Sequence, residues 1–99
     1  MIQRIVLIKL KPAFTSPEAR AVIAADSRAA LAAIPGVRSV TIGTPADAPS
    51  AQSWDLSVLI GFERVEDVPL YLEDAAHRAF ADDYLAPRMD FIKAWNFEV

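Results

Sequence analysis

The chain has 99 residues, of which 54% are hydrophobic and 23% charged, and it carries a net charge of −3. A chain of this length forms one hydrophobic core, so a single domain over residues 1–99 is expected. Its scattered basic residues argue against nucleic-acid and membrane partners, and zero cysteines with a single histidine exclude disulfides, iron–sulfur clusters and multi-histidine metal sites within the chain, so no cofactor is expected.

The N-terminal segment is predicted to be a strand over Ile2–Lys11, because β-branched and aliphatic residues fill it and Pro12 ends it. The centre of this strand is apolar on both faces, which is typical of a strand that is covered on both sides. Its apolar run is too short for a signal peptide or a membrane span. A cytoplasmic protein is therefore expected.

The next segment, Thr15–Ile34, is predicted to be a helix that ends before Pro35 and Gly36. Thr15 and Glu18 fit a capping box, and abundant alanine favours helix beyond them. The apolar stripe predicted to face the sheet consists of Val22, Ile23, Ala30 and Ile34.

A second strand is predicted over Val37–Thr44, followed by a polar loop through Ser53 and a third strand over Trp54–Glu63. The face of the third strand that starts at Trp54 is large and apolar, and it is expected to pack on helices. The opposite face, which starts at Asp55, is mixed in character and is expected to point away from them.

Two helices, Glu66–Asp74 and Ala75–Leu85, and a fourth strand, Phe91–Val99, complete the predicted elements. Their order is β-α-β-β-α-β. This order predicts an α+β, ferredoxin-like fold with a four-stranded antiparallel sheet and helices on one face.

The other face of this sheet has no predicted cover, and we refer to it as the open face. Alternation along the strands places Ile5, Leu7 and Leu59 on it. Because an apolar surface of this kind is usually buried by a partner, a homodimer that pairs two open faces is predicted.

Three stretches of the chain carry a resemblance to a known family: IVLIKLKP at Ile5–Pro12, WDLSVLIGFE at Trp54–Glu63 and YLEDAAHRAFADDYLAP at Tyr71–Pro87. Together with the order of elements, they resemble the stress-responsive dimeric α/β-barrel (Dabb) family over nearly the whole chain. The third stretch is the most specific, because the family typically shows a Tyr, then an Ala-His pair, then an aromatic residue three positions after the His. The resemblance implies two protomers that close their sheets into a barrel, each with a pocket between sheet and helices.

The resemblance also implies candidate site residues. In a few polyketide cyclases of the family, the pocket carries a His on the first strand, the His of the Ala-His pair and a Tyr on the preceding helix. This chain has His77 and Tyr71 at the last two positions, but Arg4 at the first, and Asp74-Ala75 replaces the His-Pro of many relatives. The two-histidine site is therefore incomplete.

His77 is predicted to lie in the first turn of a helix that Asp74 caps, where the helix dipole disfavours the imidazolium form. A neutral imidazole can act as a general base or as a hydrogen-bond donor. The spacing of His77, Phe80, Ala81 and Tyr84 places them on one helix face, directed at the sheet. The alternative is a core histidine that is hydrogen-bonded to backbone.

Arg4 shares a strand face with Val6 and is expected either to bind a carboxylate, phosphate or enolate or to form a salt bridge at the strand end. Tyr71 is expected either to donate to a ligand oxygen or to expose its hydroxyl at the surface. Asp74 and Arg78 are predicted to form a surface ion pair. The residues expected to contact a ligand are Val6, Ile8, Val58, Phe80 and Tyr84.

Two functions are compatible with these residues. The first is a homodimer with little or no catalysis that binds a small, largely apolar molecule or acts in a stress response. The second is a cyclase-like or isomerase-like enzyme in which neutral His77 moves a proton while Tyr71 and Arg4 stabilise an enolate. A third interpretation is a packed domain without a pocket.

Overall fold

The structure, a computed structural model, describes residues 1–99 and contains four strands and four α-helices. The strands are β1 (Ile2–Leu10), β2 (Ser39–Gly43), β3 (Leu56–Phe62) and β4 (Met89–Glu98). The α-helices are α1 (Pro17–Ala32), α2 (Ala48–Ser53), α3 (Asp67–Glu73) and α4 (Ala75–Ala79). A π-helix, Phe80–Leu85, continues α4, and 3-10 turns lie at Pro12–Phe14 and Ala86–Arg88.

The strands form one antiparallel sheet in the order β2-β3-β1-β4. β1 is central, and its Val6 pairs with Val58 on one side and with Ala94 on the other. This arrangement confirms the predicted ferredoxin-like α+β fold, with α1, α3 and α4 on one sheet face. No helix is long and apolar enough to cross a membrane.

The core lies between the helices and one face of the sheet. Alternate residues of β1 and β3 supply its floor, and α1, α3 and the π-helix cover it. Its most deeply buried strand side chains are Ile8, Leu10, Leu56, Val58, Ile60 and Phe62.

The open face has the predicted residues and a row of aromatic side chains from β4. Ile5, Leu7 and Leu59 are only half-buried there. Strand pairing places Trp95 opposite Ile5, with Phe97 and Phe91 on the same side of β4. The exposed fractions of Phe91, Trp95 and Phe97 are 67%, 47% and 50%, so the chain leaves a large apolar surface uncovered.

Helix α1 starts and faces differently from the prediction. Its N-cap is Ser16, whose Oγ accepts a hydrogen bond from the Ala19 N–H, whereas Thr15 Oγ1 donates to the Pro12 carbonyl. Val22 is 59% exposed. The buried face of α1 begins instead at the next residue, Ile23, and continues one and two turns later along the helix. The buried residues of α1 are Ile23, Ala24, Ser27 and Leu31.

Other segments also depart from the predictions. The expected loop through Ser53 contains α2, which Asp47 caps by accepting a hydrogen bond from the Ser50 N–H. Asp55, expected to point away from the helices, is fully buried, because β3 begins only at Leu56 and the Asp55 carboxylate binds Arg20.

The predicted Asp74–Arg78 ion pair is wrong. The Asp74 carboxylate caps α4 by accepting a hydrogen bond from the Ala76 N–H, at 2.8 Å. Arg78 pairs instead with Asp82, one turn further along the chain, and both side chains are exposed.

Candidate functional site

A cavity of about 150 Å³ lies between the sheet and the helices. Its floor comes from β1 and β3, and its walls come from α1, α3, α4 and the π-helix, with one residue from β4. Its apolar lining is Val6, Ile8, Leu31, Val58, Ile60, Leu72, Phe80, Ala81, Leu85 and Ile92. Its polar lining is Arg4, Ser27, Tyr71 and His77.

The cavity brings together seven of the eight side chains that the sequence singled out. These are Arg4, Val6, Ile8, Val58, Tyr71, His77 and Phe80. A packed domain without a pocket is therefore the wrong interpretation.

Tyr84 is the exception, since it does not line the cavity. The hydrogen bonds of a π-helix run from residue i to i+5, which places Leu85 below Phe80 and rotates Tyr84 away. The Tyr84 hydroxyl donates to Asp26 Oδ2, and its ring stacks on Phe80 with 5.6 Å between the ring centroids.

His77 is held by backbone and by an aromatic neighbour. Its Nδ1 lies 3.1 Å from the Leu72 carbonyl oxygen, which can only accept, so Nδ1 carries a proton and Nε2 is the nitrogen left for a ligand. The ring lies against Tyr71, with 4.4 Å between centroids.

The surroundings of His77 favour its neutral form. Burial lowers the pKa of His77 from its ordinary value, and the positive charges of Arg4 and Arg78 lower it further, against the raising effect of the Leu72 hydrogen bond. The direction agrees with the prediction, although burial and not the helix dipole is the main cause. The neutral ring presents an acceptor at Nε2 near neutral pH.

Tyr71 is 3% exposed and packs its ring edge on Phe62 at a centroid distance of 5.1 Å. Burial raises the pKa of Tyr71 to about 12, with Arg4 acting in the opposite direction. Its hydroxyl therefore stays protonated near neutral pH. It can donate a hydrogen bond to an oxygen atom in the cavity.

Arg4 carries a positive charge that no acidic side chain neutralises. Its Nη1 donates to Asn96 Oδ1 at 3.0 Å, and none of the five salt bridges includes it, so the predicted alternative of a salt bridge at the strand end is wrong. Burial lowers the pKa of Arg4, but a guanidinium keeps its charge in proteins. The cavity thus has a cationic donor with unused N–H groups.

Ser27 is the polar lining residue that sequence reasoning missed. It lies on the buried face of α1, in a segment where abundant alanine was interpreted only as favouring helix. The signal that would have found it is its spacing, because Ser27 falls one turn after Ile23 and one turn before Leu31.

No group of three or more His, Cys, Asp or Glu side chains could hold a metal ion.

Solved structures with the same fold cover almost the whole chain. A Dabb family protein with a ferredoxin-like fold from Mesorhizobium loti is 20% identical, with a TM-score of 0.81 over 99% of this chain and 95% of its own. A dimeric ferredoxin-like protein of unknown function from Bacteroides fragilis is 22% identical, with a TM-score of 0.76 over the same shares of the two chains.

An enzyme has this fold as well. The hydroxynitrile lyase from Passiflora edulis is 18% identical, with a TM-score of 0.78 over 99% of this chain and 92% of its own. At these identities the similarity concerns the fold alone.

No functionally curated protein matches the chain. The family model of the stress responsive A/B barrel domain matches residues 2–99, which is nearly every residue from the first strand to the last. This chain therefore belongs to the stress responsive A/B barrel domain (Dabb) family.

Proposed function

We propose that this protein forms a homodimer through its open face and binds a small, largely apolar molecule in the cavity between sheet and helices. The observation that carries the proposal is the cavity itself. Its walls are mostly apolar, and a few polar side chains with unused hydrogen-bonding capacity face it, which is the usual composition of a small-molecule site.

The volume sets the size of the ligand. An apolar cavity of about 150 Å³ in a protein core accommodates benzene. The cavity between sheet and helices has a similar volume, about 150 Å³. The ligand, or the part of it that enters the cavity, is therefore a single small ring or a short branched chain.

The charge in the cavity sets the polar end of the ligand. Arg4 has no acidic partner. The Tyr71 hydroxyl is a protonated hydrogen-bond donor, and it is close enough to Arg4 for the positive charge to lower its pKa against the effect of burial. A carboxylate accepts hydrogen bonds from both kinds of donor, and it supplies the negative charge that Arg4 lacks. We therefore expect a small carboxylic acid to bind better than its neutral counterpart.

Benzoate and benzamide are a matched pair of probes, because they share a shape and differ in charge. Titration of the protein with each probe, followed by NMR of the single histidine, measures both affinities. Wild-type protein should bind benzoate at least about tenfold more tightly, which corresponds to the strength of a charge-assisted hydrogen bond. Arg4→Gln should remove the difference, and Arg4→Lys should retain part of it.

Two results would contradict this proposal. One is an absence of binding by either probe, which would leave the cavity without a binding function. The other is equal affinity for both probes in the wild type, which would remove Arg4 from the site.

The aromatic row on β4 supports the homodimer. Three large aromatic side chains stay at least 47% exposed beside the half-buried Ile5 and Leu7, and a second open face is the surface that matches this patch best. The Bacteroides fragilis neighbour is itself described as dimeric.

Catalysis by His77 is a second candidate function, favoured by one observation. The Nδ1–H of His77 is fixed on the Leu72 carbonyl, so Nε2 is available as a base beside Tyr71. In the expected step, Nε2 takes a proton from the carbon next to a carbonyl group. The electrons of that C–H bond form an enolate, and Arg4 and Tyr71 donate to its oxygen.

Deuterium exchange into phenylacetone tests this step without the need to know the substrate. The protein should accelerate loss of the proton signal in heavy water. His77→Ala should abolish the acceleration while benzoate still binds, as measured by isothermal titration calorimetry, since this variant has no histidine to follow by NMR. An exchange rate that His77→Ala leaves unchanged would exclude the base and leave the binding function intact.

A further inference from the structure

Ser27 has a hydroxyl group without a hydrogen-bond partner. The residue is 1% exposed and lines the cavity, and its Oγ is the only buried side-chain nitrogen or oxygen that lacks a hydrogen bond. Buried polar groups in native proteins are nearly always paired, so an orphan group that adjoins a cavity calls for a partner inside the cavity.

The usual structural role of a helical serine does not account for this hydroxyl. A serine inside a helix normally donates to the backbone carbonyl three or four residues earlier, here that of Ala24 or Ile23. Ser27 Oγ makes neither hydrogen bond. Its hydroxyl is therefore free both to donate and to accept.

Ser27 also belongs to a different element of the fold from the other polar residues that line the cavity. It comes from α1, whereas Arg4 comes from β1 and Tyr71 and His77 come from the α3–α4 segment. A ligand that engages Arg4 through a carboxylate consequently meets a second polar position on another wall of the cavity.

We infer that the ligand is a small carboxylic acid with a second oxygen, a hydroxyl or a carbonyl, on its apolar body, and that Ser27 Oγ binds this second oxygen. The inference rests on the binding function proposed above and adds a residue that determines specificity. A hydroxyl that pairs only when such a ligand is present discriminates against analogues without the oxygen, because they leave Ser27 unpaired.

Hydroxybenzoates test the inference against benzoate. We expect at least one of the three positional isomers to bind wild-type protein about tenfold more tightly than benzoate, and Ser27→Ala to remove this advantage while benzoate affinity stays the same. The corresponding toluates, which carry a methyl group in place of the hydroxyl, control for shape and should gain nothing from Ser27. Ser53→Ala, at an exposed serine outside this cavity, should behave as the wild type.

A stability measurement gives a second, opposite readout. Removal of an unpaired buried hydroxyl should leave the ligand-free protein at least as stable as the wild type, so the urea midpoint of Ser27→Ala should not fall. A serine with a purely structural role would give the reverse pattern, with a lower midpoint and unchanged ligand preferences.

The outcomes separate the inference from the proposed function. If benzoate binds but no hydroxybenzoate gains Ser27-dependent affinity, the role of Ser27 is refuted and the binding function stands. If no acid binds at all, both are refuted. A tighter hydroxybenzoate complex that Ser27→Ala weakens to the level of benzoate supports both.

Discussion

His77 is the only side chain of the cavity that ordinarily changes charge near neutral pH. Its imidazole is half-buried, hydrogen-bonded through Nδ1 and in tilted contact with the Tyr71 ring. Each of these contacts fixes the ring before a ligand arrives. The residue can therefore be followed by spectroscopy as a direct report on the cavity.

NMR of the His77 ring should show a midpoint below about 6.5, the ordinary value for histidine, because burial lowers the pKa. At neutral pH the nitrogen shifts should report a protonated Nδ1 and an unprotonated Nε2. A midpoint at or above the ordinary value would contradict the burial of the ring, and a proton on Nε2 would contradict the contact with the Leu72 carbonyl.

The same shift gives the folded protein a pH dependence with a definite sign. The unfolded chain binds a proton at His77 more readily than the folded chain, so stability should decrease as the pH falls from about 6.5 through the lower folded-state pKa. His77→Asn keeps a side-chain N–H donor but does not titrate. Urea unfolding of the two proteins should therefore diverge below pH of about 6.5 and run parallel above it.

The position of a single side chain could be predicted from the sequence where it follows from the alternation of a strand or from the first turn of a helix. Arg4 follows from the two-residue period of β1, and His77 follows from its distance to the N-cap Asp74. Tyr84 failed because a π-helix changes the helical period, and no feature of the sequence indicates that change. Ser27 was missed because a small polar residue in an alanine-rich helix resembles its neighbours.

At the level of elements, a buried ion pair connects β3, β1 and α1. Asp55 is 0% exposed, and its Oδ1 accepts hydrogen bonds from Arg20 Nε and Nη2 at 3.0 and 2.6 Å. Its Oδ2 accepts the Leu10 N–H at 2.7 Å. One carboxylate thus satisfies a strand amide and holds the first helix against the sheet.

Asp55→Ala should reduce the free energy of unfolding by about 3–5 kcal/mol, because it leaves Arg20 unpaired and the Leu10 N–H buried without an acceptor. Asp82→Ala is the matched control, since it removes a carboxylate from an exposed pair with Arg78 and should cost at most about 1 kcal/mol. Urea unfolding followed by circular dichroism measures both values. Equal losses would show that the burial of Asp55 is unimportant.

The existence and order of the long elements could be predicted, because hydrophobic period and proline positions indicate them directly. The start of α1 was displaced by one residue because Thr15 and Ser16 are both good N-cap residues, and only the packed chain selects between them. α2 was missed because its six residues, APSAQS, have the composition of a loop.

At the scale of the whole molecule, the proposed homodimer depends on the open face. Trp95→Lys places a charge in the centre of the aromatic row and should raise the dissociation constant of the dimer by at least about 30-fold, the typical effect of losing a central aromatic anchor. Val22→Lys is the matched control, because Val22 is an apolar residue on the helical side that is at least as exposed as Trp95, 59% against 47%. Size-exclusion chromatography with light scattering measures the mass of each variant.

The expected pattern is a dimer for the wild type and for Val22→Lys, with a shift towards monomer for Trp95→Lys. A monomeric wild type at micromolar concentration would contradict the assembly. A dimer that survives in Trp95→Lys would move the interface away from the open face.

The overall fold was predictable because each strand, helix and turn agrees with the same arrangement. The apolar open face could also be predicted from β1 and β3, since Ile5, Leu7 and Leu59 alternate with core residues. The sequence of β4 does not show which of its sides faces the core, because neither side carries a regular series of buried residues. Only the pairing of β4 with β1 establishes which side Trp95 occupies.

The central strand has one further consequence for the chain. Between Arg4 and Ile8, every residue of β1 belongs either to the cavity or to the open face, in strict alternation. A shift of this strand by one residue in its pairing would turn Ile5 and Leu7 towards the helices and the cavity residues outward. A single substitution in β1 changes either the cavity or the open face, whereas a one-residue shift of the strand would exchange the residues of both. The pairing register of β1 therefore constrains the protein more strongly than any one of its side chains.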